Sequence, residues 1–184
     1  MFAPGHYGMA LLLYAVAGYA LLRRGYTRDA VFGGAIVLVY TRLPDLDTEL
    51  DFVVHRGVTH TAWFALAAGL VCLFVVTNDL RRLPRRDAVR GGAWAFFLGS
   101  SSMVAHLLAD VLTPWGVMPL YPATPALYTL DLVYAGNDAA NYALFAAGAL
   151  AVGVAWTAGR PTRPGRSLPV RAYRRLRGRE QATE

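Results

Sequence analysis

The chain has 184 residues, 55% of them hydrophobic and only 16% charged, with a mean hydropathy of +0.35. That composition argues against a soluble globule, and because the apolar residues fall in blocks of about 20, the hydrocarbon thickness of a bilayer, it predicts a polytopic helical membrane protein. The net charge of +6 rests on 18 basic residues, all arginine, while the single cysteine, Cys72, excludes a disulfide framework and a thiolate metal site, so a metal would need nitrogen and oxygen ligands.

In chain order, residues 7–22 form an uncharged first span. No basic stretch precedes it, so it is expected to stay in place rather than be removed as a signal peptide. Arg23, Arg24 and Arg28 make a basic turn. Residues 30–43 then read as a second helix, short for a bilayer, that either tilts or stops inside a protein-lined cavity. Gly33 and Gly34 would let it pack closely, and Pro44 ends it.

Residues 45–60 gather Asp45, Asp47, Glu49, Asp51, His55 and His60 between lipid-soluble segments. Like charges this close repel one another and are poorly screened near a membrane; a bound cation or protonation resolves the conflict, and a cation is the working expectation. If the backbone after Pro44 is extended, Asp45 and Asp47 point to one side. Thr59 is expected to cap the helix that follows.

Residues 61–77 are the third span, a basic loop around Pro84 follows, and residues 91–112 are the fourth span, carrying Ser100 to Ser102, His106 and Asp110. A long loop, rich in proline and aromatics, covers residues 113–137; its Trp115, Tyr121, Tyr128 and Tyr134 suit an interfacial layer. Residues 138–159 are the fifth span. Residues 1–159 thus form one membrane-embedded helical domain, followed by an arginine-rich tail, 160–184, expected in the cytoplasm.

Five spans put successive loops on alternate sides. Arg23, Arg24, Arg28, Arg81, Arg82, Arg85, Arg86, Arg90 and the tail arginines share one side, against Arg42 and Arg56 on the other. The positive-inside rule makes the basic side cytoplasmic, with the N-terminus outside and the C-terminus inside. His6, residues 45–60, His106, Asp110, Asp131 and Asp138 then collect at the extracytoplasmic face.

His106 and Asp110 stand four apart on a helix and so share a face, a spacing by which a helix offers two ligands to one metal. Taken alone, the pair is as readily a polar packing contact, but an ionisable group at that depth is a functional candidate. His6, His55, His60 and His106 with Asp45, Asp47 and Asp110 supply donors for one or two divalent ions, zinc being the first expectation. Ser100 to Ser102 read as helix-contact residues rather than nucleophiles. The chain has no glycine-rich phosphate loop, and the tail lacks the interleaved aromatics of a nucleic-acid surface, so no nucleic-acid partner is expected.

GH at 5–6, LPDLD at 43–47, HRGVTHT at 55–61, HLLADVLTPWGV at 106–117 and PLYP at 119–122 resemble the YdjM/YbcI-type family of inner-membrane proteins, described as membrane-bound metal-dependent hydrolases. The resemblance covers roughly positions 5–145 and implies a multi-helix membrane protein with a metal site. A weaker likeness is to zinc-dependent phospholipase C and P1 nuclease enzymes, which use a His-x-x-x-Asp pair like His106 and Asp110. Where that pattern implies a glutamate after Gly136 and Asn137, this chain has none, so either Asp138 takes its place as a ligand or a ligand is lost.

The expectation is therefore a membrane-bound metal-dependent hydrolase of the plasma membrane, with a phosphoester or lipid-like substrate inferred from the depth of the site. Asp47 would take the proton from water and Arg56 would hold a phosphate or carboxylate oxygen. The same residues would also serve a cation-binding or transport protein, or a structural metal pin.

Overall fold

The computed structural model describes residues 1–50 and 54–159; Asp51 and the arginine tail, 160–184, lie outside the described residues. Those described form five α-helices, α1 (Ala3–Arg23), α2 (Thr27–Tyr40), α3 (Ala62–Asp79), α4 (Arg85–Val111) and α5 (Asp138–Gly159), and among them there is no strand. All but α2 belong to segments long and apolar enough to cross a bilayer.

Local chemistry sets the helix ends. Pro4 opens α1, where its missing N–H costs nothing. At the other end Gly25 takes φ 78°, Tyr26 N–H donates to Leu21 O at 2.9 Å and Gly25 N–H to Leu22 O at 2.9 Å, a Schellman stop that turns the chain into α2. α2 has 14 residues, a rise of about 21 Å against a hydrocarbon layer of about 30 Å. A 3₁₀ segment, Pro44–Glu49, follows it. The cap of α3 is Thr61, whose Oγ1 accepts from Phe64 N at 3.1 Å; Thr59, the expected cap, is engaged elsewhere. α4 starts at Arg85, earlier than the apolar run at residue 91 suggests, because arginines at a helix end can carry their charge out to the headgroups.

α1 packs against α5, α2 and α4, and α3 packs against α4. The closest approach is between α1 and α5, where a Cβ on Gly148 would strike the Gly8 carbonyl and one on Gly8 would strike the Leu144 backbone. Gly33 does what was expected of it, since a Cβ there would meet the Tyr14 hydroxyl and the Trp94 ring.

The outer surface is apolar, with Val16, Phe74 and Leu150 at least 70% exposed, while His6, Asp47, His60, His106, Asp110 and Asn141 are buried. That inversion suits a lipid-facing bundle with a polar interior. Residues 112–137 fold back over one end of it. Val117 and Tyr128 exchange backbone hydrogen bonds at 3.0 and 2.9 Å, Leu130 N–H reaches Val111 O at 2.7 Å, and Ala62 N–H reaches Pro119 O at 2.8 Å. Trp115, Tyr121, Tyr128 and Tyr134 all stand exposed on this cap.

Candidate metal centre

The site forms where the N-terminal end of α1, the C-terminal ends of α2 and α4, and the start of α3 meet under the 112–137 cap. His106 and Asp110, one turn apart on α4, face it together, as their spacing predicts. His60 comes from a short 3₁₀ turn, Val58–His60, just before α3, and Asp45 from the 3₁₀ segment that continues α2.

His106 Nδ1 lies 2.7 Å from the Thr41 carbonyl, which can only accept, so Nδ1 carries a proton and Nε2 is turned to the cluster, with a lone pair there when the ring is neutral. His60 Nδ1 lies 3.0 Å from Thr59 Oγ1, whose own proton goes to Asp47 Oδ2 at 2.6 Å. That hydroxyl therefore accepts from His60 Nδ1, and His60 Nε2 too presents a lone pair. The two Nε2 atoms face each other at 3.1 Å. Asp45 Oδ1 is 3.4 Å from His106 Nε2 and 3.6 Å from His60 Nε2; Asp110 Oδ2 is 3.5 Å from the first and 3.6 Å from the second. Two opposed lone pairs flanked by two carboxylate oxygens repel unless a proton or a metal cation sits among them. A tetrahedral ion with bonds of about 2.0–2.1 Å holds its donors about 3.3–3.4 Å apart, so the two Nε2 atoms and Asp110 Oδ2, 3.1–3.6 Å from one another, are spaced for such an ion, with Asp45 Oδ1 beside them.

His6 stacks on His106, with ring centres 3.8 Å apart and planes 2° from parallel. Its Nε2 donates to Met1 O at 2.8 Å and lies 3.7 Å from Asp110 Oδ1 and 4.0 Å from Asp45 Oδ2. Each of these carboxylates thus turns one oxygen to the His60–His106 pair and the other toward His6. Asp110 Oδ1 is already met by Arg56 Nη2 at 2.8 Å and by the Met1 nitrogen.

Asp45 and Asp47 do not point the same way. They sit on a 3₁₀ helix, where residues two apart differ by about 240° in direction, and not on the extended backbone expected for them. Asp47 is turned behind His60. It accepts from His55 Nδ1 at 2.8 Å, Thr59 Oγ1 at 2.6 Å and Arg56 N–H at 3.3 Å, and lies 3.3 Å from His60 Nδ1. Burial works against its ionisation, but the hydrogen bonds from Thr59 and His55 outweigh that and hold its carboxyl below the usual range. Asp45 follows the same logic: burial opposes the charge, and contact with His106 and His60 prevails. Burial lowers the pKa of His60 and keeps it neutral. These states leave His60 and Asp45 ready for a cation.

Alanine at Asp47 is expected to weaken metal binding by about 10–100-fold, the usual cost of losing the partner that orients a metal-binding histidine. Isothermal titration with zinc reads it, and affinity unchanged from wild type counts against this orienting role. A pH effect follows as well. His60 has a folded pKa below its ordinary 6.5, so its contribution to stability is complete above that value and is lost as the pH falls below it. Asp47 contributes in the same direction, below about 4. The unfolding midpoint of metal-free protein in detergent should lose more between pH 7 and pH 5 than that of the metal-free His60→Ala variant; an equal or smaller loss contradicts this.

Arg56 adopts φ 62°, rare for a residue with a side chain. Its Nη1 donates to Gly116 O at 2.9 Å and to Thr113 Oγ1 at 3.3 Å, it packs over Trp115, and Nη2 holds Asp110. Most of its fork is thus spent on protein acceptors. His55 is 41% exposed beside Asp47 at the outer edge of the site. Asp138 is not brought to the cluster: it opens α5, exposed, and belongs to none of the donor groups among the described residues. The buried residue of that turn is Asn141, whose Oδ1 accepts from Phe2 N at 3.0 Å and whose Nδ2 donates to Ala135 O and Asn137 O. Ser100 and Ser102 are occupied by Phe96 O at 2.8 Å and Leu98 O at 2.6 Å, as helix-contact serines would be.

Sequence reasoning missed Thr41, Thr113 and Asn141. Each is a polar residue beside a cluster member or a helix end, and nothing in its spacing marked it out.

No curated protein and no solved structure matches the chain. The model of the family described as YdjM inner membrane protein matches residues 1–167, a span that holds every helix and every donor described above. The chain is therefore a multi-pass inner-membrane protein and belongs to the YdjM family.

Proposed function

We propose that the chain is a membrane-bound metal-dependent hydrolase acting on a phosphoester or lipid-like substrate at the extracytoplasmic face. The observation that carries this reading is the convergence of His60 Nε2, His106 Nε2 and Asp110 Oδ2 within 3.1–3.6 Å of one another. All three residues are buried, and Asp45, the carboxylate beside them, has a side chain 17% exposed. Three fixed donors with a free carboxylate at the solvent edge is the arrangement expected of a catalytic rather than a sealed site. The nitrogen and carboxylate donor set suits zinc. One ion is the reading, since Arg56 already holds the outer oxygen of Asp110 at 2.8 Å, where a second would sit.

When bound, a divalent ion would supply Lewis acidity toward a substrate oxygen and lower the pKa of a nearby water. Asp45 replaces Asp47 as the carboxylate assigned to take the proton, because Asp47 is enclosed behind His60. Arg56 is a positioning residue that fixes Asp110 and the 113–116 turn. Placement of this end outside the cytoplasm rests on the arginines at the other end.

The test is Asp45→Asn in purified, zinc-loaded protein assayed on phosphodiester and phospholipid substrates. Hydrolysis should fall by about 10²-fold or more while bound zinc stays near the wild-type amount. A variant as active as wild type ends the proposal. The burial of the donors favours, as a second reading, a structural ion tying the 44–60 segment to α4. That reading predicts that Asp45→Asn releases the ion and lowers the unfolding midpoint, and that no substrate is cleaved. A transport role has less support, because every donor group among the described residues lies in this one cluster.

A further inference from the structure

We propose that a groove floored by α1 and walled by α2 and α5 binds one acyl chain of an anionic phospholipid, with the headgroup at Arg23, Arg24 and Arg28. The groove is far from the metal centre, in the half of the bundle nearer the arginine-bearing end. It holds a cavity of about 250 Å³ lined by residues including Tyr14, Gly18 and Leu22 of α1, Ala30 and Gly34 of α2, and Trp156 of α5. Closely packed interiors contain few voids larger than a water molecule, so an apolar space of this size calls for an occupant. The Tyr14 hydroxyl on its wall is already engaged, donating to Ala30 O at 2.7 Å. A cavity so lined stays dry and favours hydrocarbon.

Length and charge narrow the choice. The groove follows α1 from Leu11 to Leu22, about 16 Å at 1.5 Å per residue, or about half of the ~30 Å hydrocarbon thickness. It therefore matches the acyl depth of one leaflet. It ends at Leu22, where α1 gives way to the exposed Arg23 and Arg24; exposed Arg28 lies in the first turn of α2, just before Ala30. These arginines outnumber Asp29, the acidic residue beside them. Clustered arginines at the membrane surface attract anionic headgroups. The occupant is thus an anionic phospholipid of the leaflet on the arginine side.

Delipidated full-length protein is incubated in detergent with dioleoyl phosphatidylglycerol or dioleoyl phosphatidylcholine, and native mass spectrometry counts the lipid retained. Wild-type protein should retain the anionic lipid in about tenfold or greater preference. The exposed triple variant Arg23→Gln, Arg24→Gln, Arg28→Gln should lose that preference, while Gly34→Leu, which fills the groove against the Tyr14 ring, should lose retention of both lipids. Equal retention of the two lipids by wild type, or a preference that survives the triple variant, overturns the proposal. So does a dimer peak with no lipid, which would make a second copy the occupant. The readout is retention rather than hydrolysis, so the result is independent of the metal centre.

Discussion

Alanine at His106 is expected to lower zinc affinity by more than about 100-fold, beyond the usual cost of losing a residue that only orients a ligand. The reason is that one imidazole serves three contacts. Nε2 is a donor in the cluster, Nδ1 is hydrogen-bonded to the last carbonyl of the α2 end at 2.7 Å, and the ring stacks on His6 at 3.8 Å. Its removal takes away a ligand, leaves the buried Thr41 carbonyl without that donor at a cost of about 1–3 kcal/mol, and opens a void beside His6. His60→Ala should match it in zinc affinity but leave Thr41 bonded, so its metal-free form should be the more stable of the two. Zinc titration and thermal unfolding of the metal-free variants read both quantities. Affinity within threefold of wild type for either variant is incompatible with the donor assignment.

Leucine at Gly148 is expected to destabilise the bundle by about 3 kcal/mol or more, at or above the usual range for overpacking. A side chain at this position meets the Gly8 backbone, which cannot swing away as a side chain can. α1 and α5 must then separate, and their separation also disturbs the site, because Asn141 on α5 holds Phe2 N at the head of α1. Small residues of this kind are what allow transmembrane helices to approach closely. Gly153 on the same helix is the internal control, since nothing lies within 4 Å of a Cβ there. Gly153→Ala should be neutral or stabilising by up to about 1 kcal/mol. Denaturant unfolding in mixed micelles compares the pair, and equal stability of the two variants contradicts the packing argument.

The helices were legible because a bilayer demands long uncharged runs, and only the composition has to satisfy that demand. Site membership was legible for a related reason: His6, Asp45, His60, His106 and Asp110 are costly in or beside lipid, so their positions stand out and the alternation of helices brings them to one end. Orientation within the site was not legible. Asp45 and Asp47 are two apart in any conformation, and only the choice between extended and 3₁₀ backbone decides that one faces the donors and the other supports His60. Arg56 reads as a substrate-binding group from its charge, yet its partners Thr113 and Gly116 come from a loop whose path depends on contacts between Val117 and Tyr128. Asp138 read as a ligand from a motif, and the register of α5 turned Asn141 inward instead.

Metal content tests the central claim most directly. Wild-type protein and the His60→Ala, Asp110→Ala double variant are purified from membranes without chelator, equilibrated with zinc, passed through a desalting column and measured by elemental analysis. The account predicts about one divalent ion per chain in the wild type, the number the single cluster of His60, His106 and Asp110 can hold, and almost none in the double variant. A wild-type protein that emerges without metal, or a double variant carrying as much as the wild type, would contradict it.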